Sequence, residues 1–127
     1  MSKSLDDLAP SMRTTVFELI ARATEANVPV AIINVLRTEE EQIAHIKAGV
    51  SWTANSKHLP QPDFGNLSLA IDLCPYALFT LHGANKLQWD ANDPAWQTLG
   101  KIGESLNLRW GGRWKIPDMG HFEYQGG

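Results

Sequence analysis

The chain has few means of stapling or anchoring itself. A single cysteine, Cys74, excludes a disulfide framework within its 127 residues. No apolar run approaches the ~20 residues that span a bilayer, so stable membrane association is not expected. Basic residues are scarce: eleven Lys and Arg face fourteen Asp and Glu, a net charge of -3. That balance speaks against a nucleic-acid partner, which needs a basic face. The start, Met1-Ser2-Lys3-Ser4-Leu5-Asp6-Asp7, is polar and acidic, unlike a signal peptide. Synthesis and folding in a reducing cytoplasm are therefore expected. There is no repeat and no Gly/Ser/Pro-rich linker, so residues 1–127 read as one domain with no separate binding module. With 43% hydrophobic and only 20% charged residues, disorder is excluded too.

What is present is patterned. Pro10 sits where a first helical turn tolerates it. Met12, Val16, Leu19, Ile20 and Ala23 then recur at helical steps, predicting an amphipathic helix that ends near Asn27. Val28 to Leu36 is rich in β-branched residues and reads as a buried strand. Thr38 with Glu41 is a capping box opening a helix over Glu39–Ala48, stopped by Gly49. Ser51 to Ser68 carries Pro60, Pro62 and Gly65 and predicts a long loop, with residues 59–68 an excursion at a cleft rim and not core. Leu69–Leu73 reads as a second strand, closed by Pro75. Asp93-Pro94 starts a helix with Trp96, Leu99, Ile102 and Leu106 on one face. Leu108–Trp110 and His121–Tyr124 read as two short strands around a turn-rich Gly111–Asp118. The expected fold is α+β, a small antiparallel sheet with helices packed on one side. Trp89, Trp96, Trp110 and Trp114 crowd the C-terminal third, suggesting an aromatic core or groove there.

The chemistry gathers around scarce residues. There are four histidines, His45, His58, His82 and His121. His58 lies in the polar loop, and His121 opens the last strand three residues after Asp118. Asp72 sits inside an apolar strand, where a bare carboxylate costs several kcal/mol to bury without a partner. Strand parity puts Ala70, Asp72 and Cys74 on one face, and His121 and Glu123 on a face opposite Phe122 and Tyr124. If these strands are neighbours, Asp72 and His121 converge. Two imidazoles and one carboxylate, with a position left for water, are what a catalytic zinc requires. Asp118 is left over as a carboxylate beside the metal, suited to a general base.

Three stretches carry a family likeness: Ser56-Lys57-His58, Leu69–Tyr76, and Trp110-Gly111-Gly112-Arg113-Trp114 with Pro117–Glu123. They resemble the VanY/VanX-like zinc peptidases of the M15 family, above all the small L-alanyl-D-glutamate endopeptidases used as phage endolysins. The likeness runs from about Val30 to Glu123. It implies a D-Ala-D-Ala carboxypeptidase/hedgehog-like fold with zinc in a cleft. It makes His58, Asp72 and His121 the zinc ligands and Asp118 the catalytic acid–base residue. Arg37 would steady the substrate carbonyl or carboxylate, and Ser56 would lie near the substrate. The implied function is hydrolysis of the peptide stem of bacterial peptidoglycan at the L-alanyl-D-glutamate bond, during phage lysis of the host. A monomer is expected, held in the host cytoplasm until lysis and then acting at the cell wall. Two features depart from the family. His58 and Asp72 stand fourteen residues apart, farther than usual, and Arg113 stands where relatives often carry an acid.

Rival readings are weighed beside these. Relatives include D-Ala-D-Ala carboxypeptidases and dipeptidases, and some related zinc folds only bind the wall without catalysis. Cys74 as a nucleophile would make a Cys–His hydrolase, though it ends a strand and not a helix start. Glu41 and His45 share a helix face and read as solvated, His82 beside Gly83 reads as a turn, and Arg37 has Glu40 or Glu41 as alternative partners. Trp110 and Trp114 read as core before groove wall. Glu123 is the rival of Asp118 for the base. For Asp118 to face the metal, Met119-Gly120 must turn the chain.

Overall fold

The computed structural model describes residues 2–49, 56–76 and 86–126. Among these, three α-helices accompany a four-stranded antiparallel sheet. The helices are α1 (Pro10–Glu25), α2 (Glu39–Lys47) and α3 (Pro94–Ser105); the strands are β1 (Val30–Asn34), β2 (Ala70–Pro75), β3 (Leu108–Trp110) and β4 (His121–Tyr124). The sheet order is β1-β2-β4-β3. This is the α+β architecture the periodicities predict. Helix starts follow local chemistry: Thr38 and Glu41 form the reciprocal capping box, and the Asp93 carboxylate accepts from the Ala95 N–H before Pro94 opens α3.

Strand parity divides the sheet into two chemistries. Ile71, Leu73, Leu108, Trp110 and Phe122 join the apolar core with Met12, Val16 and Leu19 of α1 and Leu99 of α3. The opposite parity carries Asp72, His121, Glu123 and Arg109. The registers Ile71↔Phe122 and Asp72↔His121 pair like with like across β2 and β4. Gly100 and Gly103 let α3 lie directly on the rings of Trp110 and Phe122, where any Cβ would collide. Of the tryptophans, Trp96 and Trp110 are core, whereas Trp89 and Trp114 are exposed.

The segment following His58 differs from the expected excursion. It leaves and returns at one point, because the Leu69 N–H donates to the Lys57 carbonyl at 3.0 Å. Between lie a bridge, Gln61↔Leu67, and a 3-10 turn, Pro62–Phe64. Phe64 and Leu67 pack against the core, and Ser68 is fully buried. The Ser68 hydroxyl accepts from the Ala70 N–H at 3.1 Å and lies 2.9 Å from the Val35 carbonyl. The polar composition predicted a loop; the two apolar side chains and the satisfied hydroxyl make it a packed element.

Candidate active site

The cluster is assembled by the middle of the sheet. Asp72 and His121 are direct partners across β2 and β4. His58 comes from the loop before the packed segment, its N–H held by the Ser56 hydroxyl at 3.1 Å and its carbonyl by the Arg37 N–H at 2.8 Å. Asp72 Oδ1 then lies 3.2 Å from His58 Nε2 and 3.1 Å from His121 Nδ1. The two rings meet edge to face with centroids 5.2 Å apart.

The outer atoms of each group are already committed. His58 Nδ1 lies 2.7 Å from the Val35 carbonyl, and His121 Nε2 lies 2.9 Å from Glu123 Oε1. A carbonyl and a carboxylate only accept, so those nitrogens carry protons. Each ring thus turns its other nitrogen toward one Asp72 oxygen, while Asp72 Oδ2 accepts from the Asn34 amide at 3.3 Å. Three electron-rich atoms facing one another repel unless positive charge lies between them. Extra protons on the rings would supply it, and so would a metal ion. Two nitrogens and one oxygen suit zinc, and tetrahedral bonds of ~2.1 Å set donors ~3.4 Å apart, close to the separations here. His58, Asp72 and His121 are also the group among the described residues whose donor atoms could share an ion.

The electrostatics match. Burial opposes the Asp72 charge, but hydrogen bonds from His121 and His58 and their charge outweigh it and hold the carboxyl far below its usual range. Burial likewise opposes charge on His121, yet the bonds to Asp72 and Glu123 push its pKa up to about 9. Asp118 is exposed as a residue, but partial burial of its carboxyl and the Asp72 charge raise its pKa, against the pull of His121, His58 and Arg37. Asp118 opens a tight turn, accepting the His121 N–H at 3.2 Å and donating its own N–H to the Gly111 carbonyl at 2.9 Å. Gly120 serves this turn by closeness and not by unusual dihedrals: its φ is not positive, but a Cβ would strike the Leu73 carbonyl oxygen.

Arg37 is buried, its N–H bonded to the His58 carbonyl. One guanidinium nitrogen donates to Gln42 Oε1, and among the described residues Nε has no hydrogen-bond partner. Burial lowers its pKa, opposed by the charges of Asp72, Glu41 and Asp118. Trp114 borders the centre, its ring 4.9 Å from that of His121, so it is groove wall and not core. It also lines an open cleft of about 420 Å³ with Arg109, Arg113 and Glu104. Arg113 is held there by Glu104 at 2.9 and 3.0 Å.

Other candidates fall away from the centre. Cys74 Sγ faces the carbonyls of Pro75 and Gln88 at 3.5 Å, and burial pushes its thiol up to about 11, so the thiolate a cysteine nucleophile needs is suppressed. Glu41 closes its capping box. His82 lies outside the described residues. One contributor, Asn34, went unforeseen, and Glu123 takes a place other than the rival base expected of it. Asn34 reaches Asp72 only because a bulge between Ile32 and Asn34 shifts the register by one. Glu123 stands behind His121, a position its shared parity already allowed.

An α+β sheet that brings His58, Asp72 and His121 together offers a group that could hold a metal ion. The family model described as D-alanyl-D-alanine carboxypeptidase, of the M15 peptidases, matches residues 49–124. The chain belongs to that family, and it is a peptidase. Among solved structures, the Serratia marcescens L-Ala D-Glu endopeptidase ChiX superposes with a TM-score of 0.68 at 23% identity, over 95% of this chain and 83% of that one. That likeness shows the shared fold. A search of curated sequences gives no significant match.

Proposed function

We propose that this peptidase is zinc-dependent and hydrolyses the peptide stem of bacterial peptidoglycan at the L-alanyl-D-glutamate bond. The observation that carries the reading is the convergence of His58 Nε2, His121 Nδ1 and Asp72 Oδ1, with the outer nitrogens of both rings committed as donors. His58, Asp72 and His121 would hold the ion, which supplies an acidified water and a polarised carbonyl. Asp118, its pKa raised, takes the proton of the attacking water and passes it to the leaving amine. Arg37, buried and cationic, its Nε without a hydrogen-bond partner among the described residues, holds the carbonyl oxygen as negative charge develops there. Ser56 fixes the His58 loop through its hydroxyl and borders the substrate. On this reading the chain acts as a monomer at the cell wall, and the likeness of the His58, Asp72 and His121 segments to phage endolysins supports a role in host lysis.

The test is mass spectrometry of muropeptides after digestion by zinc-loaded protein, with an EDTA-treated control. A new N-terminal D-glutamate, lost with EDTA and restored by zinc, is the expected result. Release of a terminal D-alanine would favour the second reading, a D-Ala-D-Ala carboxypeptidase or dipeptidase, which the description of the family supports. Stoichiometric zinc without any cleavage would favour a wall-binding module. Asp118→Asn should keep fold and zinc and lose ~10² to 10⁴-fold in rate. Near wild-type turnover by Asp118→Asn would remove it from the chemistry.

A further inference from the structure

We infer that Glu123 is a positioning residue for the metal centre: it locks His121 in the tautomer and ring orientation that leave Nδ1 free as a ligand. The inference rests on the cluster being a metal site. Glu123 is 8% exposed, a costly place for a carboxylate that serves no purpose. It shares its sheet face with His121, two residues along β4, so it meets the edge of the ring that points away from Asp72. Oε1 accepts from Nε2 at 2.9 Å, and Oε2 faces Arg109 Nη1 at 3.6 Å across the Arg109↔Glu123 register. The cation on β3 thus holds the carboxylate, and the carboxylate holds the ring. His58 is oriented by the Val35 carbonyl and Asp72 by the Asn34 amide, so Glu123 completes one outer partner for each of the three ligands. The same geometry removes Glu123 as the base: the imidazole stands between it and Asp72 Oδ1, the atom on which the ligands converge.

The experiment uses the full chain loaded with zinc. Long-range ¹H–¹⁵N spectra of wild type should show a proton on His121 Nε2 and none on Nδ1. Chelator competition should show zinc Kd raised ~10- to 100-fold by Glu123→Gln or Glu123→Ala, the cost typical of removing an outer partner of a metal-bound histidine. Arg109→Met, which leaves the carboxylate but frees it, should give a smaller rise. Cobalt-loaded Glu123→Ala should show an altered visible spectrum, which a purely structural loss would not produce while circular dichroism stays native. Folded variants with Kd within twofold of wild type would overturn the inference. So would a wild-type spectrum placing the proton on Nδ1, which decides the matter even if the variants fail to fold. A wild-type chain that binds no zinc would sink the metal reading together with this one, whereas zinc binding indifferent to both Glu123 variants sinks this one alone.

Discussion

Replacing Gly120 by alanine tests whether the site depends on how closely two strands approach. The added Cβ would meet the Leu73 carbonyl oxygen well inside van der Waals contact, with Leu73 C and N at 3.5 and 3.6 Å. These are backbone atoms, so no side chain can swing aside. The bond from the Leu73 N–H to the Gly120 carbonyl, 2.9 Å, must lengthen as the chains part. Overpacking costs ~1–3 kcal/mol and the strained hydrogen bond ~0.5–1.5 kcal/mol. Together they predict a loss of ~2–4 kcal/mol, a tolerable fraction of a domain's ~5–15 kcal/mol. At a urea slope of ~2 kcal/mol/M the midpoint should fall by ~1–2 M. Function should suffer as well, because Leu73 follows Asp72 and Gly120 precedes His121, the pair now 3.1 Å apart. Zinc affinity should drop at least ~10-fold, the scale seen when ligand support is lost. Gly65→Ala is the control: its φ of +68° brings strain, but nothing lies within 4 Å of the new Cβ. That change should cost ~1–2 kcal/mol and leave zinc affinity unaltered. The measurement is urea unfolding of the metal-free chain followed by tryptophan fluorescence, with chelator competition for zinc. A Gly120→Ala chain within ~0.5 kcal/mol of wild type, binding zinc normally, would refute the close-approach argument.

Alanine at His58, Asp72 or His121 should each abolish stoichiometric zinc, read by elemental analysis of the purified protein; full occupancy in His58→Ala would remove that residue from the centre. Deleting residues 61–67 should destabilise the fold by ~1–3 kcal/mol through lost burial of Phe64 and Leu67, and an unchanged unfolding midpoint would restore the view of the segment as a surface excursion. In the metal-free chain, the raised pKa of His121 contributes stability that is fully present below its unfolded value of ~6.5 and is lost as pH rises toward about 9. Unfolding of the EDTA-treated chain across that range should show the decline, absent in His121→Phe. If Asp118 takes the proton of the attacking water, the acid limb of kcat/KM should disappear in Asp118→Asn.

The parts of the fold that were legible share a cause. Each long element carries its own period, caps and breaker, so α1, α3 and the β2–β4 pair follow from local residues. The parity argument went further. It put Asp72 and His121 on matching faces of two strands, and the register Asp72↔His121 joins them. Asn34 was illegible, because a bulge has no side-chain signature in β1 and moves every later residue by one register step. The role of Glu123 was half legible. Its face could be read from parity, but whether it met substrate or the back of a ring depended on which nitrogen of His121 faced Asp72.

The long spacing between His58 and Asp72 shows how sequence distance and spatial distance separate. Lys57 and Leu69 are joined by one backbone hydrogen bond at 3.0 Å. Everything between them is therefore a closed excursion as far as His58 is concerned, whatever its length, since a longer loop costs only ~0.6 kcal/mol per doubling. His58 is fixed instead by contacts outside that excursion: its ring by Val35, its carbonyl by Arg37 and its N–H by Ser56. The residues of the excursion nonetheless make packing contacts of their own. Phe64 rests against Tyr124, the last residue of β4, with centroids 6.0 Å apart. The segment that stretches the ligand spacing thus also braces the strand that carries His121.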